Sequence, residues 1–137
     1  MAKVSLNTRL GVSADEAWKL IGGFNALPDW HPAVEKSELE KEGQERILTL
    51  VGGAKIVERL ERSDDAERVY SYSILNSPLP VANYKATIRV RDAEGGACDV
   101  EWSSEFDAAG APEADAVKVI EGIFQGGLDN LKKMFGG

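Results

Sequence analysis

The chain opens on a two-residue beat. Between Lys3 and Val12, Val4, Leu6, Thr8 and Leu10 share one parity, and Lys3, Ser5, Asn7 and Arg9 share the other. That alternation describes a half-buried strand. Ser13-Ala14-Asp15-Glu16 follows as a capping box, with Asp15 and Glu16 placed where the helix dipole favours negative charge. Ala17, Trp18, Leu20 and Ile21 continue a short amphipathic helix, which Gly22-Gly23 ends. The apolar stretch Phe24 to Pro32 contains Pro28 and Pro32, which limit it to one or two helical turns.

The strand pattern then resumes. Segments near Val34–Glu42, Glu45–Val51, Lys55–Ser63, Arg68–Leu75, Tyr84–Asp92 and Ala97–Asp107 read as strands. Turn signals separate them: Glu42-Gly43-Gln44, Gly52-Gly53, Asp64-Asp65-Ala66, Ser77-Pro78-Leu79-Pro80 and Glu94-Gly95-Gly96. These connections are too short for crossover helices, so the strands form an antiparallel meander.

After Gly110-Ala111-Pro112 the period changes. Val117, Ile120, Phe124, Leu128, Leu131 and Phe135 recur at intervals of three and four, predicting one long helix from Pro112 to Phe135. Such a helix must bury its apolar stripe, and a curved sheet offers the surface. The expected architecture is α+β, a single domain over residues 1–137, with a functional cavity between helix and sheet.

Composition narrows the function classes. An apolar fraction of 43% over 137 residues supports one core. A formal net charge of -7 argues against binding a phosphate backbone or an anionic membrane surface. No apolar stretch is long enough to span a bilayer, so no membrane insertion is expected. Cys98 is the only cysteine, which rules out an internal disulfide and fits a reducing cytoplasm. The N-terminus carries no charged leader followed by an apolar run, so no secretory signal is visible. The sequence leaves monomer and homodimer equally open.

Several residues in this order resemble the START-like helix-grip superfamily, and within it the polyketide cyclase/dehydrase-like proteins called SRPBCC. They are Ala17-Trp18; Phe24, Leu27, Trp30, Pro32 and Val34; Ile56-x-Glu58-x-Leu60; Tyr70-x-Tyr72-x-Ile74; and Val100-x-Trp102-x-x-x-Phe106, followed by the terminal helix. The resemblance implies a helix-grip fold: a seven-stranded curved antiparallel sheet around the long C-terminal helix, with two short helices after the first strand. It also implies a pocket for a hydrophobic small molecule. Family members bind lipids, steroids, polyketides or plant hormones, and a minority catalyse cyclisation or dehydration. Fold alone does not choose among these.

Strand parity selects the inward side chains. Ile56, Glu58 and Leu60 share a face, as do Tyr70, Tyr72 and Ile74; Tyr84, Ala86, Ile88 and Val90; and Val100, Trp102, Ser104 and Phe106. Glu58 stands out, because a carboxylate among inward apolar residues must be paired or hydrogen-bonded. It is either a ligand-orienting or acid/base group with a raised pKa, or a structural carboxylate held by a tyrosine hydroxyl, a tryptophan N–H or His31. His31, the only histidine, is either a proton carrier at the pocket entrance or an exposed loop residue beside Pro32.

Tyr72, Tyr84, Trp102 and Trp30 combine an apolar body with one polar tip, which suits either a ligand wall or plain core. Ile120 and Phe124 would face them from the helix. Gly122, Gly126 and Gly127 weaken that helix by roughly 1 kcal/mol each relative to alanine. They provide room for ligand, a bend, or close contact with the sheet. One histidine and one cysteine do not make a metal site, and no cofactor is implied.

Three functions follow. The first is binding of a hydrophobic molecule that is lipid-, polyketide- or aromatic-like. The second is a cyclase/dehydratase-type enzyme in which Glu58 moves a proton while Tyr72 or His31 polarises a carbonyl. The third is a partner-binding scaffold with a vestigial pocket.

Overall fold

A computed structural model describes residues 1–136. The strands are β1 (Ala2–Leu10), β2 (Val34–Glu40), β3 (Glu45–Leu50), β4 (Lys55–Asp64), β5 (Val69–Asn76), β6 (Val81–Asp92) and β7 (Cys98–Ala108). They form one seven-stranded, curved sheet in the order β1-β7-β6-β5-β4-β3-β2, every neighbouring pair antiparallel. Helices α1 (Ala14–Ile21) and α2 (Leu27–Trp30) follow β1, and α3 (Glu113–Phe135) follows β7. This is the helix-grip arrangement of a long helix held against a bent sheet.

Local chemistry explains the elements. Ser13 caps α1: its Oγ accepts the Glu16 N–H at 3.2 Å. Pro28 occupies the first turn of α2, where its missing N–H costs nothing. Pro112 occupies the N-cap of α3, with Glu113 and Asp115 in the first turn.

The strand ends differ slightly from the sequence pattern, each for a visible reason. The first strand ends at Leu10 and not Val12, because Gly11 turns away to donate its N–H to the Gly136 carbonyl at 3.0 Å. The second ends at Glu40, because Lys41 and Glu42 take left-handed φ values of 51° and 56°. The sixth starts three residues early, at Val81, which pairs at once with Ala108. A bulge between Ala82 and Lys85 then restores the inward parity of Tyr84.

The concave face carries the inward sets expected from parity. Ile56, Glu58, Tyr70, Tyr72, Tyr84, Ile88, Val100, Trp102 and Phe106 are all buried, as is Cys98. Helix α3 covers the β1–β7 side of this face with Ile120, Phe124, Leu128 and Leu131. Burying one such side chain contributes roughly 1.5–3 kcal/mol. Among the described residues, no helix is long and apolar enough to cross a membrane.

Candidate functional site

Three elements converge where α3 leaves the sheet uncovered. They are the α2 segment with Leu27, His31, Ala33 and Val34, the inner face of β3 to β7, and the stretch of α3 that carries Ile120 and Ile123. They enclose a cavity of about 60 Å³. A hollow of about 390 Å³ lies on the opposite face of the sheet, but it is open and edged by Lys3, Ser5, Glu61, Thr87 and Glu105, so it lacks the enclosure of a small-molecule site.

The structure brings His31, Glu58, Tyr72, Tyr84, Trp102 and Ile120 to the cavity wall. Trp30 and Phe124 lie behind that wall. Both pack on Trp102, Phe124 stacked at 4.4 Å between ring centroids and Trp30 tilted at 5.4 Å.

Glu58 is the one charged residue on the wall. Its partner is not a tyrosine, a tryptophan or His31 but Arg46, directly opposite it in the β3–β4 register. Arg46 Nε donates to Glu58 Oε1 at 2.8 Å, and Nη2 stands 2.7 Å from the same oxygen. The guanidinium is wholly buried. Nη1 donates to the Phe24 carbonyl, and Cζ lies 4.1 Å from the Phe24 ring centroid and 5.1 Å from that of Tyr72. Burial pushes the Glu58 carboxyl above its ordinary pKa, and Arg46 draws it only part of the way back. For Arg46, burial opposes the charge, but Glu58 and the tyrosines around it outweigh that and raise its pKa.

His31 is 2% exposed, which corrects the expectation of a solvent-facing loop histidine. Nε2 lies 2.7 Å from the Ile123 carbonyl and must donate to it, while Nδ1 accepts the Ala33 N–H at 3.2 Å. This pair of bonds defines one neutral tautomer. Burial lowers the ring's pKa, and the Ile123 carbonyl opposes that shift more weakly. Asn130 Nδ2 adds a bond to the Trp30 carbonyl at 2.9 Å, so α3 holds the α2 segment at two points.

Tyr72 accepts the Trp102 Nε1–H at 3.0 Å, which ties β5 to β7 across the floor of the cavity. Burial raises the Tyr72 and Tyr84 pKa values well out of the usual tyrosine range, so both hydroxyls stay protonated.

Comparison with known proteins adds the lineage. The family described as polyketide cyclase / dehydrase and lipid transport matches residues 1–136. The chain belongs to this family. No curated protein matches it. The protein XoxI from Bacillus cereus is 40% identical, with 98% of this chain and 96% of that one covered at a TM-score of 0.97. A protein from Bacillus thuringiensis is also 40% identical, with 98% of each chain covered and a TM-score of 0.95. The Zhui aromatase/cyclase from Streptomyces sp. R1128 shares the fold at 18% identity, with 97% and 92% covered and a TM-score of 0.79. Family and fold together point to a hydrophobic ligand-binding or polyketide cyclase-like role.

Within this polyketide cyclase-like frame, Arg46 is the important residue that the sequence reading missed. Its signal was present: Arg46, Leu48 and Leu50 alternate on β3 as an inward set, and all three are at least half-buried. Leu48, Leu50 and Ile56 also line the cavity, with Ile74 and Leu79 at its more exposed end. Among the described residues, no three His, Cys, Asp or Glu side chains cluster as a metal site requires.

Proposed function

We propose that the protein binds a small hydrophobic molecule in the cavity between the sheet and α3, as a carrier or sensor and not as a catalyst. The observation that carries this reading is the wall itself: apolar and aromatic throughout, with a single ion-paired carboxylate. Several hydrogen-bonding positions on the wall are already filled. Both nitrogens of His31 are hydrogen-bonded, Glu58 Oε1 is held by Arg46, and the Tyr72 oxygen accepts from Trp102.

The cavity must widen to act. An engineered protein cavity of about 150 Å³ holds benzene, well above the roughly 60 Å³ here. Leu50, Ile74, Leu79 and Ile123 are only partly buried and form the wall with the most freedom to yield. Mass spectrometry of the intact protein, purified without delipidation, tests the reading. An extra mass that dissociates on denaturation is the expected result. Its absence, together with no thermal stabilisation by a panel of lipids, aromatic acids and polyketide fragments, would sink it. A ligand at a hundred times its Kd should add about 2.7 kcal/mol of stability.

One observation favours a second reading, a cyclase- or dehydratase-type enzyme. The Glu58 carboxyl has a raised pKa and borders the cavity, as a general acid or base would. Tyr72 would then polarise a carbonyl, and His31 would only position the α2 segment. Unchanged turnover in Glu58→Gln would remove the proposed acid/base role.

A further inference from the structure

We propose that the ligand is a neutral molecule bearing a hydroxyl group, a phenol or alcohol, which donates its hydrogen bond to Glu58 Oε2. This rests on the ligand-binding reading above and names the chemistry of that site.

The geometry of the carboxylate selects the donor. Both contacts from Arg46 fall on Oε1, at 2.8 and 2.7 Å. Glu58 nevertheless lines the cavity while Arg46 does not. The two carboxylate oxygens therefore have separate tasks: Oε1 is fixed by the guanidinium, and Oε2 remains an acceptor for whatever fills the cavity. Arg46 acts as a positioning residue, since the Phe24 carbonyl and the Phe24 and Tyr72 rings hold its plane in place.

Charge balance excludes the ionic alternatives. The Arg46–Glu58 pair is neutral as a unit, so an ammonium ligand would bring one uncompensated charge into an apolar space. A carboxylate ligand would meet Glu58 first, with Arg46 screened behind it. A hydroxyl adds no charge and satisfies an acceptor that is costly to leave bare in a low-dielectric site. The aromatic walls of Tyr72, Tyr84 and Trp102 suit a flat ring beside it.

The test compares three probes of nearly equal size at pH 7: 4-ethylphenol, 4-ethylanisole and 4-ethylbenzoate. The readout is the indole N–H region of a nitrogen–proton correlation spectrum. It holds one signal for each of the three tryptophans, including the Trp102 N–H bonded to Tyr72. The expected result is a saturable Trp102 shift with 4-ethylphenol, at a Kd about tenfold below that of 4-ethylanisole, and no shift with 4-ethylbenzoate. Equal affinity for phenol and anisole, or tighter binding of benzoate, would overturn the hydroxyl assignment and leave cavity binding standing. No shift with any probe would overturn both. Every arm uses the unaltered chain, so no misfolded variant enters the comparison.

Discussion

Gly127 and His31 are packed so closely that a methyl group on Gly127 would stand 2.8 Å from His31 Cδ2, and only 2.9 Å from the Trp30 ring. A bare helix surface at this point is what lets the α2 segment reach the Ile123 carbonyl. Gly127→Ala should therefore destabilise the protein by about 1–3 kcal/mol, the range for overpacking a filled core. Gly122 has no neighbour within 4 Å of a built Cβ, so Gly122→Ala should stabilise by about 0.5–1 kcal/mol through helix propensity alone. Urea unfolding of the two variants checks both signs, and a stabilising Gly127→Ala would contradict the packing account.

Arg46→Met should cost about 3–5 kcal/mol, because it leaves the Glu58 carboxylate buried without its partner. The double variant Arg46→Met/Glu58→Leu should recover most of that loss, since two apolar side chains replace a desolvated pair. Denaturant midpoints of the single and double variants measure the coupling. A loss in the double variant equal to the sum of the Arg46→Met and Glu58→Leu losses would show that the pair is not energetically linked.

Tyr72→Phe removes the acceptor of the Trp102 Nε1–H. The stranded donor should cost about 1–3 kcal/mol. Hydrogen exchange at the Trp102 indole N–H should also accelerate, which a loss of packing elsewhere would not produce.

His31 makes stability depend on pH with a defined sign. Its pKa in the folded protein lies below the ordinary 6.5. Above that value both folded and unfolded chains carry neutral rings, and the contribution is complete. As pH falls through 6.5 the unfolded chain takes up the proton first, so stability declines by up to about 1.4 kcal/mol per unit, levelling off below the folded pKa. Urea titrations between pH 7.5 and 5 should show this slope in the native protein. It should be shallower in His31→Gln, whose side chain does not titrate. Parallel slopes would assign the pH dependence to other groups.

Much of this was legible in the chain. Alternation on the strands placed Ile56, Glu58, Tyr72 and Trp102 on one face, and the three–four spacing placed Ile120 and Phe124 opposite them. What sequence could not supply was register. Glu58 required a partner, but only the pairing of β3 with β4 sets Arg46 across from it. The burial of His31 likewise depends on Gly127, far along the chain, where periodicity marks a weak helix position without showing what it makes room for. Cavity size was beyond reach for the same reason: it is the residue left over after every side chain has packed, and no local pattern records a remainder.

The sheet order has a consequence for biosynthesis. Strand β1 precedes the other six, yet among the described residues it pairs with β7 alone, and the turn that leaves it is pinned to Gly136. On the ribosome β1 must wait, unpaired, until β7 has emerged. The β2–β6 strands can begin to pair while translation continues, but the β1 edge can close only once β7 is available. Chains ending before Cys98 should thus leave residues 2–10 open to protease, whereas the chain that includes β7 protects them.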